Sequence, residues 1–405
     1  MERIVKRRVF FCAAILFFVA AGWSTSALAG SFYVATTGTD SGACTTASSP
    51  CLTIAYAITQ ASSGDTIKVA KGDYTLSAAL DPGAKDITFV GGYDTSDNFA
   101  TTGVGVRGDR MTRLIAAFWS SIFTFATSGN ASIIRNFVLQ GNGGIGGGVV
   151  YSTTTVSPTI DGNTIVGWGI HGVTLPSATS PVVQNNVILE AVYGIALPDG
   201  GSAINNTVTN ASSSGFNGGG TARTNNIAAY GATGFSTCGG GSGSATYSNA
   251  YNNTTNFGTD CDGGNNSTSD PLFTDSATGT STGLDASTLT MSGASWTTDQ
   301  WKGYFVTPNT TYGDPDKPQY FFILSNTGTV LTVASSRSLT SYGTSGDTYQ
   351  ITDFTLQSGS AAKNTGTNTG APSTDIYGAS RPQGGTTDMG ATEYVEARRR
   401  PMVVQ

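Results

Sequence analysis

The sequence predicts an all-β fold, a parallel β-helix, and three observations carry that prediction. A short phrase returns across 157–261: Gly162-Asn163-Thr164-Ile165, Asn185-Asn186-Val187-Ile188, Asn205-Asn206-Thr207-Val208, Asn225-Asn226-Ile227-Ala228 and Ser248-Asn249-Ala250-Tyr251. The steps between Asn163, Asn186, Asn206, Asn226 and Asn249 are 23, 20, 20 and 23 residues. A glycine phrase keeps a similar period at Gly172-Val173, Gly194-Ile195, Gly215-Phe216 and Gly234-Phe235. A repeat of this length marks a solenoid. The segments are too short and Gly-rich for helices, and too poor in Leu for leucine-rich repeats. Each period is then one coil, with Gly and Asn at bends because both tolerate φ > 0. Stacked coils set equivalent Asn side chains into an inward ladder that satisfies buried polar groups. The whole chain has room for roughly eight to eleven coils.

Residues 1–29 read as a secretory signal peptide. Arg3, Lys6, Arg7 and Arg8 precede an apolar run from Val9 to Gly22, and Ala27-Leu28-Ala29 offers a small-x-small cleavage site. The remainder carries 16 Lys and Arg against 25 Asp and Glu, a net charge of −9. That balance disfavours nucleic acid and anionic membrane surfaces as partners, and no membrane insertion of the mature chain is expected. Only 11% of all residues are charged, yet periodic Val and Ile argue for order rather than disorder. Four cysteines remain after the signal, and an even number in an exported chain points to disulfides. Cys44 pairs with Cys51 across a small loop, and Cys238 with Cys261 about one coil away.

Residues 30–75 are assigned to an N-terminal cap and first coil. Cys51-Leu52-Thr53-Ile54-Ala55-Tyr56-Ala57-Ile58 has helical spacing, with Leu52, Ala55, Ile58 and Ala61 on one face, suited to covering the open end of a solenoid. Gly64-Asp65-Thr66-Ile67-Lys68-Val69-Ala70-Lys71-Gly72-Asp73-Tyr74-Thr75 resembles the first coil of secreted right-handed β-helix repeat proteins, including the chondroitinase B-like and pectate lyase-like polysaccharide lyases. Asp86-Ile87-Thr88-Phe89-Val90-Gly91-Gly92-Tyr93 resembles their second coil. Asp65, Lys68, Lys71 and Asp73 are expected on a solvated strand face.

Coils fill 76–282. Residues 283–351 lack the Asn phrase and read as a small inserted antiparallel β module, from Thr288-Leu289-Thr290-Met291, Tyr320-Phe321-Phe322-Ile323-Leu324 and Thr329-Val330-Leu331-Thr332-Val333. Either side of it, Asp270-Pro271-Leu272-Phe273 and Phe354-Thr355-Leu356-Gln357-Ser358-Gly359 resemble halves of one phrase. Residues 352–395 then end the β-helix. There Asp375-Ile376-Tyr377-Gly378, Arg381-Pro382 and Asp388-Met389-Gly390-Ala391-Thr392-Glu393-Tyr394 resemble the choice-of-anchor Q segment of bacterial surface proteins. A basic tail, 396–405, follows. The resemblance implies an exported protein at the cell surface, in the periplasm or outside the cell.

The lyases of the resembled group bind acidic polysaccharide beside calcium and use a Lys base with an Arg partner. Between Asn136 and Cys261 there is no Lys, and Asp161 and Glu190 fall out of register. His171, the only His, reads as a turn residue, and Arg223 falls in the column of Ile160 and Val183. No cofactor is expected; calcium is the one ion the Asn-rich turns could take, and carbonyl oxygens alone hold it poorly. Trp296, Trp301, Tyr304 and Tyr312 are the candidates for stacking on sugar rings, with packing inside the module as the competing role. The leading expectation is a non-catalytic β-helix that binds a polysaccharide or cell-surface glycan, or serves as an adhesive or structural scaffold. The alternative is a polysaccharide lyase or glycoside hydrolase whose site gathers Lys85, Arg107, Arg110 and Arg113.

Overall fold

The computed structural model describes residues 29–143, 148–167, 171–218, 222–239, 243–313, 317–334 and 337–396. The expected signal peptide and basic tail lie outside them, save Ala29 and Glu396. The chain winds as a right-handed parallel β-helix of three sheets, with nine, eight and seven strands among the described residues, and carries a fourth, antiparallel sheet of seven. Among the described residues no helix is long and apolar enough to cross a membrane.

Each regular coil contributes one short strand to each solenoid sheet. First-sheet strands such as Thr159–Asp161, Val182–Gln184 and Ser202–Ile204 bury only their middle residue, as a sheet with one wet face requires. Second-sheet strands Thr164–Val166, Val187–Leu189, Thr207–Thr209 and Ile227–Ala229 are buried at every position. Something must therefore cover their outer face. The third sheet stacks Val150, Val173, Ile195, Phe216, Phe235 and Phe257 inward in register.

Between the first and second sheets runs the Asn ladder. Asn163 Nδ2 donates to Asn186 Oδ1 at 3.1 Å, Asn186 Nδ2 to Asn206 Oδ1 at 3.0 Å, and Asn206 Nδ2 to Asn226 Oδ1 at 3.1 Å. Each Oδ1 also accepts the backbone N–H of the preceding Asn, at 2.9–3.0 Å. Asn249 does not continue this ladder. Ser248 Oγ receives Asn226 N, and Asn266 Oδ1 receives Ser248 N. Asn249 instead opens the next strand, opposite Ile227. The reason is local: Tyr247 takes the left-handed backbone position (φ 50°) that Asn185, Asn205 and Asn225 hold in earlier coils, so the following residue, Ser248, points inward.

The glycine phrase has a different cause from the expected bend. Gly172, Gly194, Gly215 and Gly234 lie within third-sheet strands and avoid positive φ. A Cβ on Gly172 would stand 2.4 Å from the carbonyl oxygen of Gly194, and one on Gly194 2.6 Å from that of Gly215. Close approach between coils selects glycine here.

The cap helix spans Ile54–Gln60, and Thr53 Oγ1 accepts Tyr56 N as its N-cap. Its buried face is Ile54, Ala57, Ile58 and Ala61, packed on Phe32, Val34, Ile67 and Val69. Leu52 and Ala55 are exposed, contrary to expectation, because Leu52 precedes the cap and lies outside the helical period. Asp65 is buried rather than solvated: it accepts Gly30 N and Ser62 N. Both disulfides form as expected, Cys44–Cys51 and Cys238–Cys261. Arg223 points into the solenoid at 1% exposure, where Ala203 and Ala245 on either side leave room, and donates to Gly218 O and Cys238 Sγ.

The antiparallel sheet begins and ends outside 283–351. Phe273–Thr280 pairs along Thr348–Leu356 and makes a two-stranded stem. The stem brings Asp270–Phe273 against Phe354–Ser360: Gln357 N donates to Leu272 O, and the Phe273 and Phe354 rings lie 5.0 Å apart. Beyond it, Leu289, Trp301, Val306, Phe321, Ile323 and Leu331 form the module's own core. On the solenoid side, Phe305, Tyr320 and Phe322 cover Val138, Val166, Val187 and Leu189 of the second sheet.

The chain after Leu356 runs back along the outer Asn column. Asn185 Nδ2 donates to Thr374 O, Asn205 Nδ2 to Asp388 O, and Asn225 Nδ2 to Thr367 O, all at 2.8–2.9 Å. A buried cluster clasps this segment: Arg381 pairs with Glu393 at 3.1 Å, and its other nitrogen donates to Gly390 O at 2.9 Å. Asp388 accepts Asn364 N and Tyr394 N, while Asp375 accepts Tyr377 N, Ala379 N and Glu393 N. Burial raises all three carboxylates above their ordinary values, outweighing the donors that lower them.

Two predictions follow from these contacts. Asn206→Ala strands five hydrogen-bonding partners and is expected to cost about 3 kcal/mol, against about 1 kcal/mol for Asn249→Ala, in chemical denaturation. For the clasp, carboxylates with raised values bind more protons folded than unfolded, so stability falls as pH rises through the raised values. The thermal midpoint is expected to fall as pH rises from about 4, the ordinary carboxyl range, toward neutrality, and Glu393→Gln should shrink that fall.

Candidate functional site: a cleft between solenoid and module

At the corner after the last four second-sheet strands the backbone turns through a left-handed residue: Glu190 (φ 58°), Asn210 (φ 55°), Tyr230 (φ 63°) and Asn252 (φ 49°). The coils stack these positions into a column at the edge of the sheet that the module covers. Facing them are Lys317, Gln319 and Arg337 of the module, and a cleft of about 570 Å³ lies between. Asn210 Nδ2 donates to Pro318 O at 2.9 Å and ties one wall to the other. Arg337 is ion-paired with Glu190 and donates to Gln319 Oε1 and Tyr320 O, each at 3.1 Å. Its guanidinium lies over the Phe321 and Tyr342 rings at 4.6 and 4.7 Å. Burial pulls Arg337 below its ordinary value.

The Glu190 side chain is only 7% exposed. Despite that burial, its Oε2 has no hydrogen-bond partner among the described residues, nor do Asn210 Oδ1 and Arg337 Nε. Two acceptors and one donor thus stand unmatched along one cleft, an expensive arrangement unless something supplies the missing bonds. Turning these side chains toward the cleft would let a ligand with several hydroxyls supply the missing bonds.

Across the 317–320 segment lies a second cavity of about 280 Å³, lined by Tyr251, Asp270, Asp275, Thr307, Tyr320 and Gln350 and sharing Tyr230 with the first. Burial, then the neighbouring Asp270, raises Asp275 above its ordinary value. Asp161 and Glu190 line different clefts: Asp161 faces Arg135, Asn185 and Tyr377 under the C-terminal segment.

The residues singled out from sequence disperse. Trp301 is buried in the module core, so no sugar can stack on it; a module of this size needs its indole inside. Trp296 and Tyr304 are partly buried against the same core, and Tyr312 is exposed beside Tyr342. The four early-coil basic residues do not converge. Lys85 Nζ donates to Ile58 O, Arg107 pairs with Asp353 while lying on the Tyr377 ring, Arg110 pairs with Asp97, and Arg113 with Asp73. His171 sits in strand His171–Thr174 rather than a turn, stacked on Tyr193 at 4.8 Å. Among the described residues no group of three or more His, Cys, Asp and Glu side chains is arranged to hold a metal ion.

Sequence reading passed over Arg337 and Lys317 because they belong to the module, about 130–150 residues from Glu190 in the chain. The available signal was second-sheet triplets such as Val187-Ile188-Leu189 and Ile227-Ala228-Ala229, whose unbroken apolar character announces a covered face.

No family model and no curated protein matches the chain. Among solved structures it is similar to a rhamnogalacturonan lyase, at 12% identity over 55% of this chain and 69% of that one, with a TM-score of 0.36. It is also similar to a pectate lyase, at 14% identity over 90% of this chain and 96% of that one, with a TM-score of 0.37. At these scores the solenoid rests on its own strand register, and activity rests on the site.

Proposed function

We propose that this is an exported polysaccharide-binding β-helix whose ligand lies in the cleft between solenoid and module. One observation carries the reading: Glu190, Asn210 and Arg337 line one cleft, and each keeps a buried polar atom without a hydrogen-bond partner among the described residues. Hydroxyl groups donate and accept in the same place, so a sugar chain satisfies both kinds of orphan. Lys317 at the cleft adds a cation suited to a uronate or sulfate group. Two disulfides support an oxidising compartment outside the cytoplasm. The choice-of-anchor Q resemblance of 375–394 adds display at the cell surface to this proposal, and the clasp gives those motif residues a structural role.

A specific observation favours a second reading. Asp275, raised by burial and by Asp270, lines the second cavity with that residue, and a carboxyl held protonated to higher pH is suited to act as general acid toward a glycosidic bond.

The test uses mature protein from Gly30 onward, run in native gels cast with acidic or neutral polysaccharides, with reducing ends assayed in parallel. Retention by at least one polymer is expected, weakened roughly tenfold by Glu190→Gln, the loss of about one charged hydrogen bond. Failure of every polymer to retain the wild-type protein would overturn the binding reading. New reducing ends that disappear in Asp275→Asn would replace binding alone with hydrolysis.

A further inference from the structure

Phe118 and Trp119 are the two most exposed large apolar side chains among the described residues, at 70% and 59%, and they are adjacent. Their rings lie 5.6 Å apart, tilted by 54°. Trp119 adopts φ 62° in a tight turn closed by Ser120 N donating to Ala117 O. Left-handed backbone is unusual for so bulky a residue, and an exposed indole wets surface that folding would hide. Neither feature helps the fold, and strain of this sort concentrates where function needs it.

The position of the pair gives it a use. Its turn follows Ala116, whose N–H donates to Gln140 O of the next coil. Gly143, three residues on from Gln140, lies beneath Phe118: a Cβ there would stand 3.8 Å from Phe118 Cε2. Gly143 also lines the Glu190 cleft. The aromatic pair therefore stands beside Gly143, at one margin of the cleft that Glu190, Asn210 and Arg337 line.

We infer that Phe118 and Trp119 form a stacking platform that extends this cleft, and that the ligand is a chain of pyranose rings. The inference rests on the polysaccharide-binding reading and deepens it. A pyranose with equatorial hydroxyls presents a flat C–H face to an aromatic ring and hydroxyls around its edge. One unit of the chain lies on Trp119. A neighbouring unit passes over Gly143 and places its hydroxyls at Glu190, Asn210 and Arg337. Both parts of the surface are then used by one ligand, which a purely apolar or a purely ionic partner would not do.

The experiment compares wild-type mature chain with Trp119→Ala and Phe118→Ala in gels containing hydroxyethyl cellulose, an equatorially linked chain, or polygalacturonate, an axially linked one. Retention by hydroxyethyl cellulose is expected to weaken roughly tenfold in Trp119→Ala and several-fold in Phe118→Ala. Thermal midpoints should stay unchanged, because both side chains are exposed. Quenching of tryptophan fluorescence by the polymer should vanish in Trp119→Ala. Retention of the variants equal to wild type would overturn the platform while leaving the cleft reading in place. No retention of wild type by any polymer would overturn both. Concentration-dependent self-association of wild type, abolished by Trp119→Ala and without polymer retention, would make the pair a contact between copies and overturn the inference.

Discussion

The structure depends on a pair of consecutive residues repeated at one corner of every regular coil. The first, Asn185, Asn205 or Asn225, takes left-handed backbone and sends its amide outward. That turn forces the second, Asn186, Asn206 or Asn226, inward, where the amides of Asn186 and Asn206 bridge to the coils before and after and that of Asn226 binds the coil before. A solenoid bend leaves peptide groups that no strand can pair, and burying them unpaired would be prohibitive. The inner amides supply those bonds at each coil, while the outer ones bind the returning C-terminal segment. One two-residue device thus holds the coils to each other and the tail to the coils.

A second constraint locates the site. The outer face of the second sheet presents Val138, Val166, Val187 and Leu189, too much apolar surface to leave in water. The module and the C-terminal segment bury it together. Because the module is anchored through the Phe273–Thr280 and Thr348–Leu356 stem, it meets the solenoid along the adjacent corner as well. There the coil corners offer polar side chains in left-handed positions, and the joint remains an open, polar cleft. Apolar burial therefore dictates where the module sits, and the incomplete fit at its margin makes the cleft.

The charged groups divide along the same line. Arg107, Arg110, Arg113 and Lys85 were attractive as catalytic candidates because they cluster in sequence, but each is engaged by a nearby carboxylate or carbonyl. They lock early coils, the module and the tail in place. Arg381, Asp375, Asp388 and Glu393 do so within the tail, the carboxylates accepting backbone N–H groups while Arg381 donates to Glu393 and to backbone carbonyls. Glu190 differs in lining an open cleft while one of its oxygens has no partner among the described residues.

What the sequence determined by itself was periodic or local. Coil length, β class, the inward Asn at positions 163, 186, 206 and 226, and both disulfides were legible because stacked coils repeat the same contacts at the same spacing. Reading failed where register slipped by one residue: Asn249 looks like the phrase, yet Tyr247 turns the chain and Ser248 points inward. The inward Arg223 was ambiguous from sequence, because its room comes from Ala203 and Ala245 in other coils. Only the tertiary structure decided the site. Glu190 and Arg337 are 147 residues apart, in parts of the chain with unrelated patterns. Their meeting follows from how the module docks, a consequence of shape and buried apolar area that no local pattern encodes.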